Sequence, residues 1–558
     1  MDTQRLILFF VFSFSLLLLW TEWEKEQRPK PVPVVAGVQQ PGVVKGVPGA
    51  IPTPATVAPA PAAPAASAVP ATAPAAKGEI IQVQTDLLIA DIDTFGGSLV
   101  KLELLKHKET NDQSKNLVLL GSEHQYFAQS GLTGDGGPNH RTLWRVLPGE
   151  RSLGQGKNSL ELRLAADGKD GLSVEKVYTF KRDSYIVDVA LELRNGGAAA
   201  IAPHAYFQLT HDGKQPAGGS SLAQSFGAQS FNGFAEYTTE RKFEKIQYSD
   251  IDKGKVDHAK QATDGWIAFV QHYFVAAWVP PVTGPRDYVI EKRPDGVYSG
   301  RVVLPVAAIA PGGTAKVVAP LYAGPQEQNR LKEVAPAFDL VVDYGWLTII
   351  AWPLFWLLEK YHSLVGNWGV AIILLTVTIK IVFFPLSAAS YKSMAKMKLV
   401  TPRLTKIREM YANDRARQNQ AMMELYKTEK INPLGGCFPI LVQIPVFIAL
   451  YWVLLAAIEL RHAPFMLWIH DLSALDPYYV LPILMTITMV IQTKLNPVPP
   501  DPVQAKVMMF MPFVFSIFFF FFPAGLVLYW LVNNILSIAQ QWQIQRMFER
   551  DKPAHGKR

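Results

Sequence analysis

The sequence predicts a mixed membrane protein, in which a large antiparallel β domain lies between an N-terminal apolar segment and a C-terminal set of apolar helices. Three observations predict this fold class. Apolar runs occupy residues 6–20 and recur between residues 367 and 542, whereas residues 79–338 alternate as strands do. Mean hydropathy is +0.12, which is high for a soluble protein and low for one wholly inside a membrane. At 558 residues, the chain is also too long for one ordinary core.

Cysteine content and motifs exclude several kinds of chemistry. Cys437 is the only cysteine, so an internal disulfide framework is excluded. The sequence contains no GxxxxGKS/T phosphate loop, no HExxH, no GxSxG elbow and no CxxC pair. Neither nucleotide, zinc nor serine-hydrolase chemistry is indicated. We therefore expect a protein that is not an enzyme and that needs no cofactor or metal.

The N-terminal residues 1–28 are expected to hold a transmembrane signal-anchor. No small-x-small cleavage site follows the apolar run 6–20, which favours a retained anchor over a cleaved signal peptide. Residues 29–78 are rich in Pro, Ala, Val and Gly and cannot bury a core. They form either a tether that holds the next domain away from the membrane or a neutral linker.

Residues 79–338 are expected to form one large antiparallel sandwich. In the segment 184–194, Val187, Val189, Leu191 and Leu193 share one parity, and Asn195-Gly196 then supplies a turn. The preceding strand ends just before Lys181-Arg182-Asp183, which predicts a hairpin. Glycine pairs and Asp-Gly dipeptides separate further short strands throughout this region.

The C-terminal part begins with residues 339–366, which are expected to form an interfacial amphipathic helix. This segment is apolar and aromatic but contains Pro353, Glu359, Lys360 and His362. The core, residues 367–545, follows with five apolar spans at 367–387, 437–458, 478–495, 508–522 and 525–542. The anchor brings the predicted transmembrane helices to six.

Loop lysines and arginines predict the orientation of these spans. Residues 388–433 carry ten of them and the tail 546–558 carries five, whereas the 459–477 loop has only Arg461. Residues 388–433 and both termini are therefore expected in the cytoplasm, and the β domain on the opposite side. The anchor's own flanks argue weakly against this orientation, because Lys25, Arg28 and Lys30 follow it.

Lys380 is the only charged residue between Trp368 and Leu386. A helix rises roughly 20 Å from Asn367 to Lys380, which predicts a cation near the middle of the bilayer, where it costs about 2.5–3.5 kcal/mol. Thr376 lies one turn earlier on the same face. Other spans carry Gln443, Asn533, Asn534, Ser537 and Gln540. These side chains either line a wet pocket around Lys380 or join helices, and Lys380 itself either faces that pocket or reaches towards lipid headgroups.

The cytoplasmic segment 388–433 is expected to form a helical hairpin. Met397, Val400, Leu404, Ile407 and Tyr411 repeat every seven residues, and Ala412-Asn413-Asp414 turns the chain. Thr401-Pro402 has the pattern of a helix cap and first position, which predicts a kink, and Asn432-Pro433 ends the return helix. The hairpin is either a solvated helix pair or a basic, Met-rich docking surface, with the candidates Met394, Met397, Lys398, Arg403, Arg408 and Met422.

Four histidines of the β domain were considered for catalysis: His124, His140, His204 and His211. Their spacing specifies neither a metal site nor a catalytic pair, and we expect structural roles.

Several motifs closely resemble those of the YidC/Oxa/Alb membrane protein insertases. They are SMAKMK at 393–398, NPLGGCFPILVQIPVFIAL at 432–450, APFMLWIHDLSALDPYY at 463–479 and FPAGLVLYW at 522–530. The segment WIAFVQHYFVAAWVP at 266–280 is similar to the periplasmic domain of the Gram-negative YidC branch. The resemblance covers nearly the whole chain except the spacer.

The resemblance implies an insertase and chaperone of the bacterial inner membrane. It implies five spans around a hydrophilic groove, a cytoplasmic hairpin and a periplasmic super-β-sandwich similar to galactose mutarotase. Expected partners are nascent membrane proteins, the Sec translocon, the ribosome and lipid, but not DNA. Lys380 stands where the family usually has Arg, and Thr376 and Trp530 match two further groove positions; Gln443 and Asn533 complete the candidate groove.

Two other functions were weighed against insertion. A proton-coupled transporter also uses an intramembrane cation, but it should show internal repeats and broken helices, and the sequence reveals neither. A periplasmic carbohydrate enzyme requires a convergent pair of a carboxylate and a histidine in the β domain.

Overall fold

The computed structural model describes residues 78–550, apart from 111, 135, 215–230, 282, 430–437 and 497–501. The predicted anchor, almost all of the spacer, the Asn432-Pro433 helix stop and the tail beyond Arg550 lie outside the described residues.

Eighteen strands are found in the described part of the β domain. In chain order they are β1 Ile80–Gln84, β2 Leu88–Asp93, β3 Ser98–Lys108, β4 Asn116–Leu120, β5 Phe127–Leu132, β6 Arg145–Val146, β7 Ser159–Asp167, β8 Leu172–Lys181, β9 Ile186–Asn195, β10 His204–His211, β11 Gly233–Thr238, β12 Lys242–Ile246, β13 Gln261–Ala262, β14 Trp266–Val270, β15 Phe274–Trp278, β16 Arg286–Lys292, β17 Tyr298–Pro305 and β18 Thr314–Pro325. A short helix, α1 Tyr248–Asp252, interrupts them.

The strands form two nine-stranded sheets. One has the order β1-β2-β3-β5-β10-β17-β16-β13, with β4 paired to β3, and the other has the order β12-β11-β14-β15-β18-β9-β8-β7-β6. The expected antiparallel β-sandwich is confirmed. Its core consists of the side chains that point inward from every second position of a strand. β7, for example, buries every second residue.

The predicted hairpin around Asp183 is also confirmed. β8 pairs antiparallel with β9, with Phe180 opposite Val187. Val187, Val189, Leu191 and Leu193 are all at most 1% exposed, as their shared parity predicts. Asn195 ends β9, and its side chain accepts a hydrogen bond from the Gly197 amide and donates to the carbonyls of Ala199 and Ile309. This network holds the turn that follows.

Nine further helices are described in the C-terminal part. They are α2 Gln328–Val334, α3 Thr348–Val365, α4 Trp368–Val382, α5 Phe384–Met410, α6 Arg415–Thr428, α7 Phe438–Ala456, α8 Val480–Leu495, α9 Pro502–Phe519 and α10 Ala524–Arg550. α10 is central to them, because it packs against α4, α5, α7 and α8. The predicted interfacial segment corresponds to α3, which packs against α4 and α7.

The first predicted core span, 367–387, is not one helix. α4 ends at Val382 and α5 begins at Phe384, with a bend of 66° between them. Pro385 lies in the first turn of α5, where its missing N–H costs nothing, while its ring prevents α4 from continuing straight. As a result, Lys380 lies in the last turn of α4 rather than in the middle of a helix.

By length and apolar composition, no single helix in the described ranges qualifies as a membrane span on its own. The bent pair α4–α5 does so when its two helices are taken together. The number of spans stays a prediction.

The helical hairpin consists of α5 and α6. Asp414 caps α6 by accepting a hydrogen bond from the Arg417 amide, so the chain turns where the sequence predicted it. A new helix start at Thr401-Pro402 was predicted wrongly, since α5 runs through both residues. The Thr401 hydroxyl instead donates to the Met397 carbonyl, as hydroxyls inside helices often do.

Candidate functional site

Lys380 connects three helices through one hydroxyl group. Its Nζ donates to Oγ of Ser537 on α10 at 2.7 Å, and Ser537 in turn donates to the Asn533 carbonyl at 2.7 Å. Tyr391 on α5 forms a side-chain hydrogen bond with the same serine. Within the described ranges, no carboxylate forms a salt bridge with Lys380. The ammonium group is therefore held by a neutral partner.

Thr376 and Asn533 lie close to this centre in sequence, and both are buried. The Thr376 hydroxyl donates to the Ile372 carbonyl of its own helix at 2.7 Å, so its hydrogen atom is already used. On α10, Trp530, Asn533, Asn534 and Ser537 follow a spacing of three and four residues and share one face. This face brings Lys380 and the candidate Asn533 together. Ser537, which was noted only as a polar span residue, is the direct partner.

Trp530 belongs to an aromatic contact between α7 and α10. Its ring stacks on Phe447 with centroids 4.8 Å apart and planes at 5°, and Phe519 lies 5.7 Å away. Gln443 lies one turn before Phe447 on α7. The structure thus places Trp530 at the α7–α10 contact, whereas Lys380 lies at the α4–α10 contact.

Several buried polar atoms of the helical part have no hydrogen-bond partner among the described residues. They are Nε2 of Gln443, Nε2 of Gln540, Oε1 of Gln541 and the hydroxyls of Tyr451 and Tyr529. Buried polar groups are nearly always hydrogen-bonded, because an unpaired one costs about 1–3 kcal/mol. Unpaired polar atoms on α7 and α10 are therefore candidates for hydrogen bonds with water or with a bound chain.

Other polar side chains join helices, as the alternative interpretation of the amides predicted. Asn534 Nδ2 lies 3.5 Å from the Thr488 hydroxyl on α8, and Gln541 Nε2 donates to Asn496 at 3.1 Å. Thr486 on α8 contacts Ser516 on α9 in the same way. The polar residues of α10 thus contact both α8, through Asn534 and Gln541, and Lys380 on α4, through Ser537.

The candidate docking residues of the hairpin divide into two groups. Met397 and Met422 pack against the buried Val400 and Leu404, so they belong to the hairpin's own core. Met394 and Arg408 are half-buried, whereas Lys398 and Arg403 are exposed, with Arg403 paired to Glu429. Sequence analysis missed Leu399, Met410 and Met423, which are 51%, 71% and 54% exposed. Among the described residues of the hairpin, these three are the large apolar side chains that are most exposed, and the docking role of the predicted residues stays a prediction.

The β domain brings two of the four histidines together. The rings of His124 and His211 are nearly parallel with centroids 5.6 Å apart, and Asp212 Oδ1 lies 3.6 Å from Nδ1 of each. Burial lowers the pKa of His211 to about 4, although Asp212 opposes the shift. His140 lies elsewhere, where its Nδ1 is hydrogen-bonded to the Tyr206 hydroxyl. The spacing of the histidines in the sequence did not indicate this contact between His124 and His211, and the structural roles expected for the four histidines stay a prediction.

Comparison with known proteins places both parts of the chain. Residues 80–357 match the family model for the YidC periplasmic domain, and residues 360–552 match that for the 60Kd inner membrane protein. A membrane protein insertase YidC from Aromatoleum aromaticum is 54% identical over 99% of both chains, and one from Dechloromonas aromatica is 53% identical over 98% of both.

The chain belongs to the YidC family of membrane protein insertases.

A crystal structure of an active YidC insertase with its first transmembrane domain resolved also aligns with this chain. It covers 83% of this chain and 94% of its own, at 16% identity and a TM-score of 0.37. A putative aldose 1-epimerase from Escherichia coli K12 aligns with 44% of this chain at 11% identity and a TM-score of 0.27. Membership of the YidC family rests on the sequence relatives, which span the β domain and the helices alike.

Proposed function

We propose that this YidC-family insertase uses the Lys380 ammonium, held by Ser537, to attract acidic or polar residues of a client segment. A nascent hydrophobic segment enters from the cytoplasm, and its short polar end passes Lys380 while its apolar part moves into lipid. The protein does no covalent chemistry in this scheme, because hydrophobic partitioning drives the step. The observation that carries the proposal is a cation with a neutral partner, next to helices whose buried polar atoms lack partners.

Electrostatics make Lys380 a suitable attractor. Two unit charges 4 Å apart interact with about 4 kcal/mol at an effective dielectric of ~20. The Ser537 hydroxyl uses one of the three ammonium hydrogens, so two are left for a client carboxylate. Lysine also differs from arginine here, since only the ammonium can lose its proton in a dry site. The proposed attraction requires water in the site, because Lys380 then keeps its proton and its charge.

The membrane arrangement is part of the same proposal. Six spans place the N- and C-termini and the α5–α6 hairpin in the cytoplasm, the β domain in the periplasm, and α3 at the interface. The exposed apolar faces of α8 and α9, which include Ile483, Ile487, Phe510 and Phe513, suit contact with lipid. The proposal uses the domain and span boundaries predicted from the sequence, except that the first core span is bent after Val382.

Partners are proposed from surface chemistry. The exposed Leu399, Met410 and Met423 lie among lysines and arginines of the hairpin, a combination that suits apolar segments of nascent chains and basic contacts to ribosomal RNA. The basic tail 546–558 adds further positive charge. Work with the Sec translocon is proposed from the family resemblance.

The test is depletion of the insertase followed by complementation with Lys380→Ala, Lys380→Arg and Lys380→Glu. We expect alanine and glutamate to reduce insertion of small clients with acidic periplasmic tails by at least roughly tenfold, and arginine to keep it, since one ion pair is worth more than 1.4 kcal/mol at this dielectric. Clients with neutral tails should be affected less. Insertion is scored by protease protection of the tail.

Lys494→Ala is the matched control, because Lys494 is also in the last turn of an apolar helix but is exposed. Equal insertion of acidic tails by Lys380→Ala and the wild type would show that the cation is not the attractor, while leaving the family assignment untouched.

A further inference from the structure

Three side chains of the β domain converge on one point although nothing in insertion requires them. His124 ends a short 3₁₀ turn after β4, His211 is the last residue of β10, and Asp212 follows it. Their ligand-type atoms all lie within 4.8 Å of one another. The backbone fixes the arrangement, because the Asp212 amide donates to the His124 carbonyl at 2.8 Å. The cluster is thus built by two distant parts of the chain.

The distances within this cluster suit a metal ion. Asp212 Oδ1 lies 3.6 Å from Nδ1 of His124 and 3.6 Å from Nδ1 of His211. A tetrahedral ion with bonds of about 2.0–2.1 Å needs ligand atoms roughly 3.3–3.4 Å apart. The two distances from Asp212 Oδ1 exceed this separation by a few tenths of an ångström, and the ligand atoms of the two imidazoles lie within 4.8 Å of each other, so side-chain rotation has to bring all three ligand atoms together. Two imidazoles and one carboxylate are also a ligand set that divalent first-row metals accept.

The two imidazole rings differ in the hydrogen bonds at Nδ1. Nδ1 of His124 is buried and has no hydrogen-bond partner in the described part of the chain. The Gly213 amide donates to Nδ1 of His211, which leaves the proton of the neutral ring on Nε2. Coordination by Nδ1 exchanges this contact and that of the Tyr248 hydroxyl for a metal bond.

We propose that His124, His211 and Asp212 bind a divalent first-row transition metal, with Zn²⁺ as the expected ion. The exposed fractions of the three side chains are 27% for His124, 1% for His211 and 7% for Asp212. The ion therefore enters past His124, and the fourth coordination position faces this opening. The Tyr248 hydroxyl lies beside His211, where it can bond to a metal-bound water.

Full-length protein, purified in detergent and stripped with a chelator, is titrated with Co²⁺ and Zn²⁺. We expect one Co²⁺ per chain with the visible absorption of a low-symmetry four- or five-coordinate site, and displacement of Co²⁺ by Zn²⁺. His124→Ala and Asp212→Asn should each weaken Zn²⁺ binding by roughly 100-fold or more, since losses of even indirect metal partners cost 10–100-fold. Zn²⁺ should raise the unfolding temperature of the wild type but not that of these two variants.

His204→Ala is the matched control, because His204 begins the same strand that His211 ends. It should bind Zn²⁺ as the wild type does. The unfolding temperature of each metal-free variant shows that the fold is retained, and His124 is exposed enough for its loss to be tolerated. The proposal is overturned if the protein does not bind Co²⁺ stoichiometrically, or if the wild type and both ligand variants bind Zn²⁺ with equal affinity.

Discussion

The ammonium of Lys176 lies wholly inside the β domain, with 0% exposure. Its Nζ donates to the carbonyls of Gly96, Gly97 and Ser130 at 2.9–3.0 Å and lies 4.5 Å from the centre of the Trp144 ring. All three hydrogens are therefore used. The strand alternation puts position 176 on the inner face, but the partners are separated from it by 46 to 80 residues. The inward lysine could be predicted, whereas its partners could not.

Replacing Lys176 with Met should lower the free energy of unfolding by about 3–5 kcal/mol, since three buried carbonyls lose a charged donor. Urea denaturation of the purified protein, followed by tryptophan fluorescence, measures the change. Lys181→Met is the control, because Lys181 ends the same strand and only pairs with Asp188 at the surface, which is worth about 0–1 kcal/mol. Equal effects of the two substitutions would contradict the structural role of the buried ammonium.

His140 makes the stability of the β domain depend on pH. The Tyr206 hydroxyl is hydrogen-bonded to Nδ1 of His140, and burial, with nearby Arg141, Arg293, Lys176 and Arg301, lowers the pKa of His140 to about 3. The unfolded chain has the ordinary pKa of about 6.5 and therefore binds the proton first. Stability from this group is complete above pH 6.5 and is lost as the pH falls towards 3.

Between pH 6.5 and pH 5 the loss should approach about 2 kcal/mol, at 1.36 kcal/mol per pH unit. Urea unfolding at pH 7.5, 6.0 and 5.0 is compared between the wild type and His140→Asn. The variant should show a shallower decline, and the difference between the two curves isolates His140 from other titrating groups. Parallel curves for the two proteins would refute this assignment.

At the scale of elements, Asp476 fixes the start of α8. Its Oδ1 accepts hydrogen bonds from the Trp468 indole at 2.9 Å and the Tyr478 amide at 3.1 Å, and Oδ2 accepts from the Leu481 amide at 2.7 Å. The carboxylate is 2% exposed, so removal leaves three donors without their partner. These hydrogen bonds give a structural reason for Trp468 and Asp476 in the 463–479 motif. The sequence alone identified this motif only by its resemblance to a family.

Asp476→Ala should destabilise the helical part by about 2–4 kcal/mol, seen as a lower unfolding temperature in detergent. Asp414→Ala is the comparison, because Asp414 also caps a helix but is exposed, so its loss should cost about 1 kcal/mol or less. If the two variants unfold at the same temperature, the buried hydrogen bonds of Asp476 stabilise the protein no more than an exposed helix cap does.

Helix boundaries were the least predictable elements. Residues 367–387 are apolar on both sides of Phe383, so hydropathy cannot detect the 66° bend, and Pro385 was the only local sign. The opposite error occurred at Thr401-Pro402, where a cap was expected inside a continuous helix. There the packing of Val400 and Leu404 against α6 outweighs the local cost of proline, which is about 3 kcal/mol.

For the whole molecule, the sequence predicted the sandwich but not its strand order. Neighbours such as β5 and β10 are more than 70 residues apart, and their pairing depends on packing that no local pattern specifies. The same limit applied to the candidate sites. Lys380 was identified as a single charge in an apolar run, whereas its partner Ser537 and the cluster of His124, His211 and Asp212 depend on contacts between distant segments.

Whether insertion requires the β domain or only the helices can be tested by a deletion. All proposed groove residues lie after residue 367, so removing residues 80–325 leaves them intact. We expect the shortened protein to insert small clients at about the wild-type level in depleted cells. If the protein were instead a carbohydrate enzyme that uses Asp212 with His124 and His211, the same deletion would abolish its function completely.

Expression must be matched for this comparison, and full-length Lys380→Glu provides the negative control for insertion. Retained insertion in the shortened protein together with failure of Lys380→Glu would place the attracting charge in the helical part alone. If the shortened protein is present in the membrane at normal levels but inserts no client, the β domain takes part in insertion, and the proposed mechanism, which uses only residues after 367, is incomplete.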